Sequence, residues 1–296
     1  MDLQDYWMNH RKKIDEALQN YLPPEHTYPP VVFQAVRYSL FSQGKRIRPL
    51  LCIAAAESLG GTFEQTAPAA CALEMIHAYS LIHDDLPSMD NDDYRRGVLT
   101  NHKVFGENIA ILAGDALLTE AFHLLSRPDW PGGISAATRL DLIHYIAKAS
   151  GFLGMVGGQV ADIQSEGKEV DMETVQYIHS RKTGALITAS VRSGAAIAGA
   201  SPEEMAALLH YAGEIGLAFQ IKDDILNIEG DRDHIGKGTG TDSSRGKATY
   251  PSLVGVEASK RRLRELLEGA LAAIADFDEK ADTLRQFARY VIERDL

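Results

Sequence analysis

The stretch ALEMIHAYSLIHDDLPSMDNDD, residues 72–93, sets the reading of the chain. Ala72–Ile82 reads as an apolar helix, and it runs straight into Asp84, Asp85, Asp90, Asp92 and Asp93. Carboxylates stabilise helix N-termini, not C-termini, so a burst of them here is electrostatically unfavourable. A solvated loop would explain it. So would a hard-cation site, because clustered carboxylate oxygens suit Mg²⁺, which keeps several waters and binds substrate phosphates.

A second acidic stretch, Phe219–Asn227 (FQIKDDILN), favours the cation reading. Asp223 and Asn227 are four apart and share one helix face. Two adjacent carboxylates flanked by Ile221, Ile225 and Ile228 make a poor solvated face, and a buried charge has to be paired or metal-bound.

Outward from these stretches the pattern is helical almost throughout. Phe33, Val36, Arg37, Leu40 and Phe41 mark one helical face. Pro49 opens a helix over Leu50–Leu59 and Gly60-Gly61 close it. Further helices are expected over residues 66–86, 105–126, 135–153, 171–198, 202–228, 259–275 and 279–293. Ser201-Pro202-Glu203-Glu204 is a favourable helix start, with acids in the first turn. Convincing alternating strand patterns are absent. The expectation is an all-α fold, one large helical bundle forming a single domain over residues 1–296. Two polar loops, 88–101 and 230–249, are long enough to be functional.

Composition narrows the function. The chain has 296 residues, 45% of them hydrophobic, enough for a sizeable core. Thirty basic against 41 acidic side chains give a net charge of −11, which argues against a nucleic-acid binder. An anionic ligand would then need a locally basic site or metal ions. Cys52 and Cys71 lie in apolar helical surroundings and read as buried reduced thiols of a cytoplasmic protein. The N-terminus lacks a signal-type apolar run, and no uninterrupted apolar stretch reaches the roughly 18 residues of a membrane span, so no membrane anchor is expected.

Basic residues do gather locally. Gly44-Lys45-Arg46-Ile47-Arg48-Pro49 leads into a helix start, where backbone N–H groups favour an anion and Lys45 and Arg48 add charge. Arg95-Arg96 follow the first acidic stretch, and Lys182-Thr183 and Lys237 add phosphate-grade donors. His77 stands two helical turns before Asp84 on nearly the same face; alone, such a histidine is ordinarily a core residue.

Taken in order, these segments resemble the bacterial trans-type isoprenyl diphosphate synthases. The resemblance runs from about Phe33 to the C-terminus, with less detail after Pro251. It is carried by residues 44–49 and 74–87, by Arg95-Arg96-Gly97, Gly157-Gly158-Gln159 and Lys182-Thr183-Gly184, and by residues 219–226 and 246–251. It implies the isoprenoid synthase type of helical bundle around a deep central cavity, and a homodimer. It implies Mg²⁺-dependent, head-to-tail condensation of isopentenyl diphosphate with dimethylallyl or geranyl diphosphate, giving mainly the fifteen-carbon farnesyl diphosphate.

Residue by residue, Asp84, Asp85, Asp90 and Asp223 resemble the ligands of three Mg²⁺ ions. Lys45, Arg48, His77 and Arg96 match positions that hold isopentenyl diphosphate; Arg95, Lys182 and Lys237 match those that hold the allylic diphosphate. Thr183 and Gln220 resemble the groups whose oxygens face the developing carbocation, and Lys182, Thr183 and Gln220 are the catalytic candidates. Tyr79 and Ser80, just before Asp84, resemble the positions that set chain length, with Tyr79 as the floor. Asn227 departs from the family's second motif, which ends in aspartate, and implies weaker retention of the third metal. A twenty-carbon (geranylgeranyl) synthase and a catalytically silent helical subunit are the rivals. Tyr79 argues against the first, and intact Asp84, Asp90, Asp223, Lys182 and Lys237 against the second. A terpene cyclase would not need a second diphosphate site.

Overall fold

The computed structural model describes residues 2–229, 247 and 249–294. Lys237 and almost all of the 230–249 loop lie outside the described residues. The order is α1 (Leu3–Tyr21), α2 (Pro30–Leu40), α3 (Ile47–Glu57), α4 (Phe63–Asp84), β1 (Tyr94–Arg95), β2 (Val98–Leu99), α5 (Asn101–Phe105), α6 (Glu107–Ser126), α7 (Ala136–Ser150), α8 (Met155–Ser165) and α9 (Met172–Ile178). A π-helical turn, His179–Gly184, then leads into α10 (Ala185–Ile197), α11 (Pro202–Glu229), α12 (Tyr250–Val254), α13 (Val256–Ala273) and α14 (Asp282–Glu293). The fold is all-α, as the patterning implies.

The chain divides into two compact units, residues 1–50 with 64–143 and residues 51–63 with 144–296. In the first, α4 is apolar on nearly every side, and side chains from Thr66 to Ile82 are buried around its whole circumference. A helix of that kind has to lie inside its unit. α1 is its opposite, a polar helix with a narrow buried stripe of Tyr6, His10, Ile14 and Leu18, one residue per turn. The sequence pattern before Phe33 did not suggest it, because the stripe is narrow and includes a histidine.

In the second unit the 28-residue α11 packs along α10 and α13. Its start is a reciprocal cap: Glu204 N–H donates to Ser201 Oγ (3.2 Å) and Ser201 N–H to Glu204 Oε2 (2.8 Å). The Tyr211 hydroxyl, fully buried, donates to the Leu284 carbonyl at 2.8 Å and ties α14 to α11. Gly194 lets α10 approach the second half of α3: a Cβ at this position would overlap the Cys52 carbonyl and lie 2.9 Å from Ala56 N. Burial pushes the Cys52 thiol up to about 12, so it stays protonated.

Three departures from expectation concern α3, the stretch 171–198 and α8. α3 begins at Ile47, two residues before Pro49, because the first helical turn has no use for the proline's missing N–H. The helix expected over 171–198 is interrupted by the π turn. The glycine-bearing segment 155–165 forms α8, against the low helix propensity of Gly157 and Gly158.

Gly194→Ala should lower stability by about 1–3 kcal/mol, since the added methyl meets backbone that has little room to give. Urea unfolding of the purified variant checks this; an unchanged midpoint would contradict the close approach.

Candidate active site

In the first unit the acidic loop folds back on its helix. Asp90 N–H donates to the Asp84 carbonyl at 2.9 Å, and Met89 and Asn91 N–H both donate to the Leu86 carbonyl. Asn91 takes a left-handed conformation (φ 51°), which asparagine tolerates better than most residues. The loop therefore returns Asp90 to the place where Asp84 leaves α4, and both carboxylates remain partly exposed. Asp85 is different. It is 3% exposed, and Arg95 Nε donates to both its oxygens at 2.8 Å while the Arg95 terminal nitrogen reaches Oδ1 at 2.5 Å. The sequence places Asp85 among metal ligands and Arg95 on a diphosphate; the structure pairs them with each other.

Arg95 and Arg96 sit on a two-stranded hairpin that the sequence patterning does not show. Arg95 pairs with Val98, which leaves Arg96-Gly97 as a two-residue turn with φ of 54° and 81°. Two positive φ values are the mark of the type I′ turn, whose twist matches the flanking strands. An arginine at the first position is strained, and such strain gathers at functional sites. The Arg96 guanidinium lies against Gly44, where a Cβ would come within 2.6 Å of it.

Arg46 also has positive φ (53°) and is 4% exposed. It donates to Glu74 Oε1 (2.7 Å), Asp15 Oδ1 (2.9 Å) and the Leu40 carbonyl (2.7 Å). That lock fixes the 44–48 segment carrying Lys45 and Arg48. His77 lines the same small cleft as Arg46, Glu74, Asp85, Arg95 and Arg96. Loss of solvation, and then the guanidiniums of Arg48, Arg96, Arg95 and Arg46, hold its pKa well below the ordinary histidine value. His77 is therefore a neutral group in a strongly positive field, as an anion site requires.

In the second unit the π turn carries Lys182 and Thr183. Such turns inside helices are frequent at functional sites, because the extra residue re-aims the side chains around it. Gly158 of α8 makes room for it, since a Cβ there would overlap the backbone of Lys182. Lys182 Nζ pairs with Asp162 at 2.6 Å, and Lys247 Nζ lies 3.7 Å from the same carboxylate. Thr183 Oγ1 donates to Gln220 Oε1 at 2.7 Å. Asp162, Lys182, Lys247 and Gln220, with His179, Asp224 and Thr249, line a cavity of about 100 Å³.

Asp223 and Asp224 part company. Asp224 is 4% exposed and accepts from Tyr250 N–H at 2.8 Å, with His179 Nε2 at 3.3 Å and the Gln220 amide at 3.5 Å. Asp223 pairs with Arg294 at 2.7 Å; Arg294 also donates to the Phe219 carbonyl and stacks 3.9 Å over the Phe219 ring. Asp162, His179, Lys247 and Arg294 are groups that residue patterning left without a role. Lys247 stood in a quoted motif without a role, and Arg294 lies where the resemblance thins.

Among the described residues no three His, Cys, Asp or Glu side chains form a ready metal cage. Asp84 and Asp90 nevertheless fit Mg²⁺ in the way that ion is commonly held, by one or two carboxylates completed by water and phosphate oxygens.

The fold is the all-α isoprenoid synthase fold. The chain is similar to a solved FPP/GFPP synthase from Zymomonas mobilis, with a TM-score of 0.87, 36% identity and 98% of each chain covered. Residues 29–287 match polyprenyl synthetase, and the chain belongs to that family. It is 46% identical over 294 residues to a geranylgeranyl diphosphate synthase of Cyanophora paradoxa, covering 99% of this chain and 97% of the relative. It is 45% identical over 295 residues to a farnesyl diphosphate synthase of Geobacillus stearothermophilus, covering 100% and 99%.

The His77 environment predicts a pH signature. Below about pH 6.5 the unfolded chain protonates this histidine while the folded chain does not. Its contribution to stability is whole above that pH and is lost as pH falls, at up to about 1.4 kcal/mol per unit. Urea unfolding between about pH 7.5 and 5 should show a shallower loss for His77→Gln than for the parent; parallel slopes would contradict a depressed pKa.

Proposed function

We propose that the chain is a prenyltransferase that condenses isopentenyl diphosphate with dimethylallyl and then geranyl diphosphate, releasing diphosphate and giving mainly the fifteen-carbon product. One observation carries the reading: each unit has its own cationic set beside carboxylates, which suits a reaction between two diphosphate esters. A terpene cyclase needs one such set, and a silent subunit needs neither.

In this reading Lys45, Arg48, His77 and Arg96 bind isopentenyl diphosphate. The neutral imidazole donates a hydrogen bond without adding charge. Arg95, Lys182 and Lys237 bind the allylic diphosphate, and the Asp85 carboxylate fixes the aim of Arg95. Asp84, Asp90 and Asp223 hold Mg²⁺, up to three ions, with Asn227 lowering retention at the Asp223 position. Bound Mg²⁺ supplies Lewis-acid stabilisation of the leaving diphosphate. As the allylic C–O bond breaks, the electron pair leaves with the diphosphate. The Thr183 and Gln220 oxygens face the resulting cation. The isopentenyl double bond then attacks it, and the released diphosphate takes the proton lost from the new chain.

Tyr79, 7% exposed on α4, is the floor under the growing chain. Ser80 contributes less, because its hydroxyl is turned back onto the His77 carbonyl at 2.8 Å.

The enzyme acts in the cytoplasm as a homodimer. α6 supports the second copy. It is long and apolar enough to cross a membrane by length and composition, yet only 39% of that window is buried, with Ile111 and Leu112 exposed at 44% and 55%. Asp115, one turn from Ile111 and exposed, would be costly in lipid and is readily solvated at a protein interface.

Purified protein with Mg²⁺, isopentenyl and dimethylallyl diphosphates should yield fifteen-carbon product by chromatography. Asp84→Asn should lower kcat by about 100-fold or more, the scale of several kcal/mol of lost charge stabilisation, with circular dichroism unchanged. A dominant twenty-carbon product would replace the chain-length assignment, and no product would end the proposal. Leu112→Asp should shift the species seen by light scattering from dimer to monomer; an unshifted dimer would clear α6 of that role.

A further inference from the structure

The ring of His83 stands between Tyr79 and α6, and three observations define its place. The Tyr79 and His83 rings meet edge to face, with centroids 5.7 Å apart and planes at 77°. His83 Nε2 lies 3.0 Å from the Ile111 carbonyl. A carbonyl oxygen only accepts, so Nε2 carries the proton and donates, which fixes both tautomer and ring orientation. The same ring lies over Gly114: a Cβ there would overlap Nε2 and come within 2.5 and 2.9 Å of Cδ2 and Cε1. Gly114 is a helical residue without a positive φ, so its lack of a side chain here serves space and not backbone conformation.

From this geometry we infer that His83 is a positioning residue for product length, acting through Tyr79, and that Gly114 is the gap that admits it. The inference rests on the reading of Tyr79 as the floor of the product cavity. A tyrosine on a helix moves between staggered rotamers about χ1 unless a neighbour excludes the alternatives. His83, one turn on along α4, supplies that neighbour, and α6 anchors it through the Ile111 carbonyl. Removing the imidazole frees the phenol ring to swing aside and opens the space beneath the fifteen-carbon product. Placing a methyl at position 114 pushes the imidazole off its seat, with the same consequence by a different route.

The test is product length, a ratio that is independent of total turnover and that a general loss of stability does not move. Tyr79→Ala, His83→Ala, Gly114→Ala and the double variant Tyr79→Ala/His83→Ala are assayed with isopentenyl and dimethylallyl diphosphates. Tyr79→Ala should raise the share of products of twenty carbons or more. His83→Ala and Gly114→Ala should each raise it several-fold over the parent, short of the Tyr79→Ala level. The double variant should match Tyr79→Ala alone, because a prop has no further effect once what it supports is gone. If Tyr79→Ala lengthens the product while His83→Ala and Gly114→Ala leave it at fifteen carbons, the floor stands and the prop is overturned. If the double variant lengthens beyond Tyr79→Ala, His83 borders the cavity directly and does not act through Tyr79. If Tyr79→Ala itself changes nothing, the floor reading fails and the inference fails with it. Should His83→Ala not fold, Gly114→Ala carries the same comparison, with chain length as its readout.

Discussion

An acidic chain that handles diphosphates has to collect positive charge without letting that charge disrupt the fold. Within each unit, cations have carboxylate partners. Arg46 is locked between Glu74 and Asp15, Arg95 is forked onto Asp85, Lys182 leans on Asp162, and Arg294 closes on Asp223. Breaking a buried pair leaves an uncompensated charge at a cost of roughly several kcal/mol, so the Arg46–Glu74 and Arg95–Asp85 pairs fix an aim as much as they add stability. His77 completes the arrangement from the other side. Surrounded by guanidiniums, it stays neutral and lets the positive field stand.

Backbone geometry serves the same end. Arg46 and Arg96 both occupy the left-handed region, where a non-glycine residue is uncommon, and the strain is met by their contacts with Glu74, Asp15 and the Gly44 surface. In the second unit the π turn does with an extra residue what positive φ does in the first. It brings Lys182 to Asp162 and Thr183 to Gln220, and Gly158 gives it room. Behind Gln220, the buried Asp224 is held by the Tyr250 amide and His179 and fixes which end of the glutamine amide faces Thr183.

The all-α class was legible because Phe33, Val36, Arg37, Leu40 and Phe41 recur at helical spacing, because long apolar stretches lack strand alternation, and because Pro49 and Ser201 mark helix starts. Some groups that meet within a unit, such as Asp84 with Asp90 and Thr183 with Gln220, were legible as residue types in ordered motifs. What patterning left out has physical causes. α1 buries one residue per turn, too narrow a stripe to stand out, and α8 contains glycines that serve close approach and not helix propensity. The Arg96-Gly97 turn needed the pairing of Arg95 with Val98 before it could be read as a hairpin. The division of labour within Asp84-Asp85 and Asp223-Asp224 follows from which carboxylate meets an arginine or a buried amide, a tertiary fact absent from spacing. Asp162 and Arg294 became visible only through Lys182 and Asp223.

The central claim is that carboxylates on this chain act on a diphosphate through divalent cations, while the guanidiniums and lysines alone do not suffice. Calorimetric titration of inorganic diphosphate into the whole protein, with Mg²⁺ and then with excess chelator, tests it most directly. The account predicts tight binding with Mg²⁺ that weakens by at least about tenfold, about 1.4 kcal/mol, once the ion is removed. Equal affinity in the two titrations would contradict it.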